Sequence, residues 1–297
     1  MKTARLGSRF EANKYPLYFL IPGMLLYFIF AIYPTITNFY FALTDWSIAK
    51  SDFQFIGLQQ FQRILQNKHF LSSLKNSFIY GVSITVLKVS LGLVLALALN
   101  QKFKTRYLLR SVYFFPIMIS TVAVGLLFKS ILDPYNGFLN SMLAKLGFTN
   151  LPLWISDTNL AIWCCIFDEV WRSTGLCMAI FLSGLQSIPG EYYEAATVDG
   201  AGPWEKFSNI TWPLLRPTLT INIMMTLVTG LRGFEPIYYL TGGGPGTSSQ
   251  TVMTLAHKYM GEGLYAYSAA MNLFLIIVIV ILAIPLLKGL TKQEVEL

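Results

Sequence analysis

Apolar residues in this chain gather in long runs, not in the short alternating stretches of a soluble core, and those runs set the expected fold. Six of them, Leu17–Leu43, Leu74–Leu99, Leu108–Leu132, Leu160–Leu185, Leu214–Leu231 and Tyr267–Leu287, meet the need for about 20 mostly apolar residues to cross the hydrocarbon of a bilayer. No run alternates with a period of two, so membrane strands are not expected. The pattern predicts an all-α, polytopic membrane protein with six transmembrane helices in a single domain over residues 1–297. The first run follows the basic residues Lys2, Arg5, Arg9 and Lys14. It is too long for a signal peptide and passes through Tyr33-Pro34 without a small-residue cleavage site, so it reads as a retained anchor.

Composition strengthens this reading. The chain is 54% hydrophobic and 12% charged, against roughly 25% charged in an ordinary soluble domain. Its net charge of +7 does not point to nucleic acid, because the basic residues flank the apolar runs. Placing the N-terminus inside puts Lys2, Arg5, Arg9, Lys14, Lys102, Lys104, Arg106, Arg110, Lys206, Arg216, Lys288 and Lys292 on the cytoplasmic side. Lys50, Arg63, Lys68, Lys75, Lys145, Arg232 and Lys258 then fall outside. Cytoplasmic loops are the ones that accumulate lysine and arginine. Both termini and the loop over residues 186–213 are therefore expected in the cytoplasm of a multi-pass protein of the cell membrane. Cys164, Cys165 and Cys177 share one apolar run and read as small packing residues, and neither they nor His69 and His257, which fall in outer loops, have the spacing of a metal site.

Some spans carry polar groups that lipid would not tolerate. Asp168, Glu169 and Arg172 lie on one face of the fourth, which Ser173 and Gly175 extend. A charge at a helix centre costs about 2.5–3.5 kcal/mol on insertion scales, so such groups face a cavity or each other. Two readings stay open: a substrate pathway, or an ion pair that holds the bundle together. Lys88, in the second span, is a further costly charge, assigned to assembly. In the fifth span, Thr218, Asn222, Thr226 and Thr229 recur at intervals of four, four and three and form a polar stripe. Such a stripe suits a pathway or a helix contact. Beyond it, Gly230, Gly233 and Pro236 should loosen the helix, as in the broken helices that line transporter sites. Trp171, Phe234 and Tyr238 could stack on a ligand or face the lipid interface.

The loop over residues 186–213 is the most informative stretch. Pro189 suits the start of a short helix, Gly200 and Gly202 its end, Pro203 the start of a second, and Pro213 the boundary before the fifth span. Two alanines, Ala195 and Ala196, permit close approach of a partner, with Glu191, Glu194 and Asp199 at the rim. Glu194-Ala195-Ala196, Gly200, Ile210 and Pro213 resemble the EAA signature of binding-protein-dependent ABC importer permeases, with Trp212 in place of its leucine. Phrases elsewhere resemble the maltose-type sugar permease group: Tyr113-Phe114-Phe115-Pro116, Asp133-Pro134-Tyr135-Asn136-Gly137 and Leu240-Thr241-Gly242-Gly243-Gly244-Pro245.

The resemblance implies a permease subunit that translocates a sugar or oligosaccharide delivered by an extracellular solute-binding protein to its outer loops, the Gly-rich segment at Thr241–Thr247 included. It implies a second homologous permease and two copies of an ATPase subunit that seat the loop as a coupling helix. ATP and Mg would be bound there, since this chain has no P-loop pattern and no cofactor of its own. The chain is thus not expected to be an enzyme, and its partners are these subunits, the carbohydrate and membrane lipid, with no nucleic acid. Carried over residue by residue, the family's sugar-holding positions fall on Glu169, Ser173, Leu176, Thr226, Gly230 and Gly233. The two glycines stand where such permeases can use asparagines, which shifts sugar contact toward the partner permease. A glycerol-phosphate-type solute fits the same group, and a proton-coupled secondary transporter with Asp168 and Glu169 as a relay is the rival from another class.

Overall fold

The computed structural model describes residues 17–50 and 52–292. Lys2, Arg5, Arg9 and Lys14 lie outside the described residues. Twelve helical segments carry the described chain: α1 (Ile21–Phe41), α2 (Gln59–Gln66), α3 (Lys68–Leu99), α4 (Arg106–Met118), α5 (Thr121–Ile131), α6 (Phe138–Lys145), α7 (Ala161–Ser187), α8 (Gly190–Val198), α9 (Pro203–Leu231), α10 (Glu235–Leu240), α11 (Val252–Gly261) and α12 (Tyr265–Thr291). Among the described residues, extended pairing is limited to an isolated antiparallel bridge between Thr44 and Phe55. The fold is all-α.

Four helices, α1, α3, α9 and α12, are long and apolar enough to cross a membrane. The third expected span, Leu108–Leu132, departs from a straight helix. It is split into α4 and α5, which meet at 94°. Pro116 removes a backbone donor, and Ile119 and Ser120 take extended backbone, with ψ of 139° and 133°, which turns the chain. Counted as one broken span, the pair makes five. The remaining expected span corresponds to α7, 27 residues long. Asp168, Glu169, Arg172 and its small polar residues lower its hydropathy, and it does not qualify on apolarity. Its polarity is explained by its place: α7 packs along α3 more extensively than any other pair of elements and buries residues on most of its circumference. By contrast α1 buries none of its residues.

Small residues set the distances between the central helices. A Cβ at Gly92 of α3 would stand 2.7 Å from Cys177 Cβ of α7, and one at Gly175 would meet Phe114 Cα of α4 at 2.8 Å. Gly230 of α9 faces α3, where an added Cβ would lie 2.9 Å from Gly81 Cα and 2.7 Å from Ile84 Cδ1. These are the close backbone approaches that drive helix association where water supplies no hydrophobic force. Cys164, Cys165 and Cys177 are buried free thiols within this packing.

The fifth span is longer than expected. Pro213 is no boundary, because one helix runs from Pro203 to Leu231, 29 residues, straight through it. A five-residue π-helical segment over Phe207–Thr211, closed by the Trp212 N–H on Phe207 O, precedes the proline. The wider turn absorbs the missing donor at Pro213 without breaking the helix. At its other end α9 stops at Leu231, and α10 begins at Glu235 with Pro236 in its first turn.

The segment from Thr241 to Thr251 is folded back on the bundle. Asn76 Nδ2 of α3 donates to Thr247 O (2.9 Å) and Gln250 O (3.0 Å). Ser77 Oγ accepts from Val252 N at 3.0 Å, and Thr251 Oγ1 donates to Gly233 O at 2.7 Å. His69 and His257 lie in the helices α3 and α11 and not in loops, with the His257 ring against Phe234 and Tyr238 at 4.9 and 5.1 Å.

Candidate functional site

Two regions carry the polar chemistry, at opposite ends of α7 and α9. The first is the knuckle between them. α8 closes with the hydrogen bonds of a Schellman end: Ala201 N donates to Ala196 O (2.9 Å) and Gly200 N to Thr197 O (3.1 Å). Gly200 has φ +79°, a left-handed conformation that side-chain-bearing residues rarely adopt. This explains the fixed distance from Glu194-Ala195-Ala196 to glycine. The three residues between are the last helical turn, and the fourth must reverse the chain. Glu205 Oε2 then accepts from Gly202 N at 2.7 Å and starts α9. Tyr193 and Thr211 bond through their hydroxyls at 2.9 Å, and Lys206 Nζ donates to Thr197 Oγ1 at 2.9 Å, so α8 is fastened to the first turns of α9.

Glu191, Glu194, Ala195, Asp199 and Gly200 are exposed on this knuckle, whereas Ala196, Ile210 and Pro213 are partly buried. Val198 is 88% and Trp204 74% exposed. The knuckle thus presents an acidic rim around bare apolar side chains.

The second region lies toward the far end of the bundle, where α3, α7 and the break after α9 converge. Glu169 is its centre. Lys88 Nζ sits 3.0 Å from Glu169 Oε1, Arg172 Nη2 lies 2.8 Å from Oε2, and Ser173 Oγ donates to Oε1 at 2.7 Å. Lys88 and Glu169 are 5% and 8% exposed, so this is a charge cluster taken out of solvent, with Glu169 bonded on both oxygens and Arg172 Nε left without a partner among the described residues. Lys88 is the member that sequence reasoning had set apart. The signal was present, since a lysine at mid-span requires a counterion, but nothing in the sequence said which carboxylate supplies it. Asp168 does not join the cluster. Both of its oxygens are buried with no hydrogen-bond partner among the described residues.

Glu169 and Arg172 open onto a cavity of about 370 Å³, which Tyr80, Thr229, Arg232, Gly233, Phe234 and Glu235 also line. The polar stripe of α9 divides over this geometry. Thr229 faces the cavity, while Asn222 and Thr226 are 0% exposed and bond to the backbone of their own helix. Gly230 and Gly233 are places of close approach: a Cβ at Gly233 would meet the Tyr80 ring at Cδ1, 2.7 Å away. Leu176 is partly buried on α7, apart from the residues lining the cavity. Phe234 lines the cavity and stacks on Tyr238 at 5.1 Å, whereas Trp171 packs on Phe128 at 5.4 Å beside an apolar groove elsewhere on α7. Arg232 and Glu235 were missed by the sequence reading, because they belong to the break itself, where helical spacing gives no register. No group of His, Cys, Asp and Glu able to hold a metal occurs among the described residues.

A bundle of apolar helices with a buried charge cluster toward one end and an exposed helical knuckle at the other is the architecture of a membrane permease. The chain belongs to the family of binding-protein-dependent transport system inner membrane components, whose model matches residues 88–290. It is 32% identical over 279 residues to the multiple sugar-binding transport system permease protein MsmF of Streptococcus mutans, covering 93% of this chain and 95% of that one. It is also 32% identical to the arabinooligosaccharides transport system permease protein AraP of Bacillus subtilis, over 92% of this chain and 87% of that one. Among solved structures, a bacterial ABC transporter involved in the import of the acidic polysaccharide alginate has a chain of the same fold, with TM-score 0.82 at 24% identity, covering 93% of this chain and 94% of that one. This is a multi-pass inner-membrane permease component.

Proposed function

We propose that this chain is the transmembrane permease subunit of an ATP-binding-cassette importer, carrying a sugar or oligosaccharide that an extracellular solute-binding protein delivers. The observation that carries the reading is the knuckle at α8: an exposed Glu194-Ala195 face, ended by Gly200 at φ +79° and fastened to α9 through Tyr193 and Thr211. A force applied to this knuckle reaches α9 directly and, through the packing of α9 on α3 and α7, the cavity at the other end. Two copies of a separate ATPase, which bind ATP and Mg, seat the knuckles of this chain and of a second homologous permease. The two bundles then rock and open the midplane alternately to each side. Both termini and the knuckle face the cytoplasm, a reading that the lysine and arginine distribution supports. The names of relatives that handle sugars and arabinooligosaccharides support carbohydrate as the solute class. The test uses the assembled complex in proteoliposomes with Glu194→Lys and Gly200→Val. Loss of ATP-driven uptake and of ATPase retention on purification is expected, with the permease pair still assembled. Full uptake with the ATPase retained, or uptake by the permease pair with no ATPase present, would overturn the reading.

A further inference from the structure

The cavity at the end of α9 carries two kinds of charge. Glu169 is engaged on both oxygens, by Lys88 and by Arg172 and Ser173, so it has little left to offer a ligand. Arg232 and Glu235 are different. Both line the cavity, both are exposed, and neither has an ion-pair partner among the described residues. They bracket the break between α9 and α10, with Phe234 between them. Arg232 can only donate hydrogen bonds and Glu235 can only accept them. Thr229 Oγ1, which spends its proton on Met225 O at 2.7 Å, is left as an acceptor beside them. The Phe234 ring, stacked on Tyr238 at 5.1 Å, gives the cavity an apolar wall.

We propose that Arg232 and Glu235 are solute-contacting residues that select an uncharged, hydroxyl-rich saccharide over an acidic one. This rests on the carbohydrate reading above and sharpens it. A sugar hydroxyl donates and accepts at once, so a neutral saccharide satisfies both side chains while its C–H face lies on Phe234. A uronate carboxylate would satisfy Arg232 and leave Glu235 facing a like charge with no proton to receive. Discrimination of this sort is built by repulsion of the wrong ligand as much as by attraction of the right one. Of the remaining charges, Lys88 and Arg172 are both paired to Glu169, so Arg232 and Glu235 are the charges left open to a solute. The same fold serves an alginate importer, so the fold alone does not decide the sign of the solute and these side chains can.

The experiment measures ATP-dependent uptake by the full complex in proteoliposomes, driven by its own solute-binding protein. The panel consists of neutral gluco- and arabino-oligosaccharides and of galacturonate and alginate oligomers of matching length. Uptake of neutral oligomers is expected, with uronates disfavoured. Glu235→Gln should move the neutral-to-acidic uptake ratio toward the acids by about tenfold, the effect of roughly 1.4 kcal/mol of like-charge repulsion removed. Arg232→Gln should not move the ratio that way. Uptake of uronates in preference to neutral sugars, or an unchanged ratio in Glu235→Gln, overturns the inference and leaves the carbohydrate reading standing. Transport of neither class, with ATP hydrolysis still stimulated by the binding protein, removes the carbohydrate reading and the inference together.

Discussion

Removing Glu169 and removing Lys88 are unequal perturbations, because Glu169 is the shared acceptor of two cations. Glu169→Gln keeps the volume and deletes the charge that Lys88 meets at 3.0 Å and Arg172 at 2.8 Å. Lys88, 5% exposed, becomes a buried ammonium without its counterion. Breaking a buried pair from one side costs about 3–5 kcal/mol. Arg172 adds less, since its side chain is 17% exposed and reaches the cavity. Lys88→Met removes one cation together with its desolvation cost. Glu169 then still has Arg172 and the Ser173 hydroxyl at 2.7 Å, so the loss should stay below about 2 kcal/mol. The decisive variant is the double one. Lys88→Met with Glu169→Gln should be more stable than Glu169→Gln alone, because no uncompensated ammonium remains.

The assay is survival of the assembled complex after a heat step, read by fluorescence-detected size exclusion. At roughly 2–4 °C per kcal/mol for a chain of this order of size, Glu169→Gln should lower the midpoint by about 6–20 °C. Recovery in the double variant should amount to a clear part of that shift. A Lys88→Met loss equal to or larger than the Glu169→Gln loss, or a double variant whose loss is the sum of the two, would refute the argument that Lys88 is held inside only by Glu169.

Three further outcomes follow from the same geometry. Gly175→Val should cost about 1–3 kcal/mol or prevent assembly, because the new side chain meets the backbone at Tyr113 and Phe114, and the yield of monodisperse complex checks it. Gly200→Ala should cost about 1–2 kcal/mol locally, from the left-handed backbone at φ +79°, and uncouple ATP hydrolysis from uptake while the heat midpoint of the bundle stays unchanged. The loop after α1 should open in acid. Asp45 is held below its ordinary carboxylate value of 3.8, first by the Lys50 ammonium bonded to it and then by the Gln54 N–H at 2.7 Å. A depressed carboxylate stabilises above the unfolded value and loses that contribution as pH falls through the folded one. Amide exchange at Gln54, corrected for its intrinsic pH dependence, should therefore accelerate below about pH 4, and Asp45→Asn should abolish that acceleration.

Much of the architecture was legible because the information is local. The long apolar runs of α3 and α12 need no tertiary context, and the knuckle reads directly because a helix end with a left-handed residue needs glycine at one fixed place. The features that escaped depend on what a segment packs against. Pro213 reads as a stop in isolation, yet five residues wound as a π-helix ahead of it let α9 continue. Pro116 lies inside what reads as one continuous span, and the right-angled turn between α4 and α5 depends on the extended residues that follow it. Gly230 and Gly233 suggested a loosened helix. In the bundle they do more: Gly230 lets α9 approach the Gly81 backbone, and Gly233 makes room for the Tyr80 ring.

α7 shows why a conflict between local and global preference can point to function. By hydropathy it is the poorest membrane helix of the long ones, yet it is the helix most enclosed by others. Apolar substitution at Asp168, Glu169 and Arg172 would make it a better span, and replacing a buried ion cluster with apolar side chains is often neutral or stabilising. Stability alone therefore does not account for three charged residues there, and sequences that break a local rule without compensation in packing do so where a site needs it. Asp168 sharpens the argument, since a carboxylate with two unpartnered buried oxygens contributes nothing to this arrangement of the helices. Arg172 stands three residues from Glu169 and four from Asp168, within reach of either in a helix.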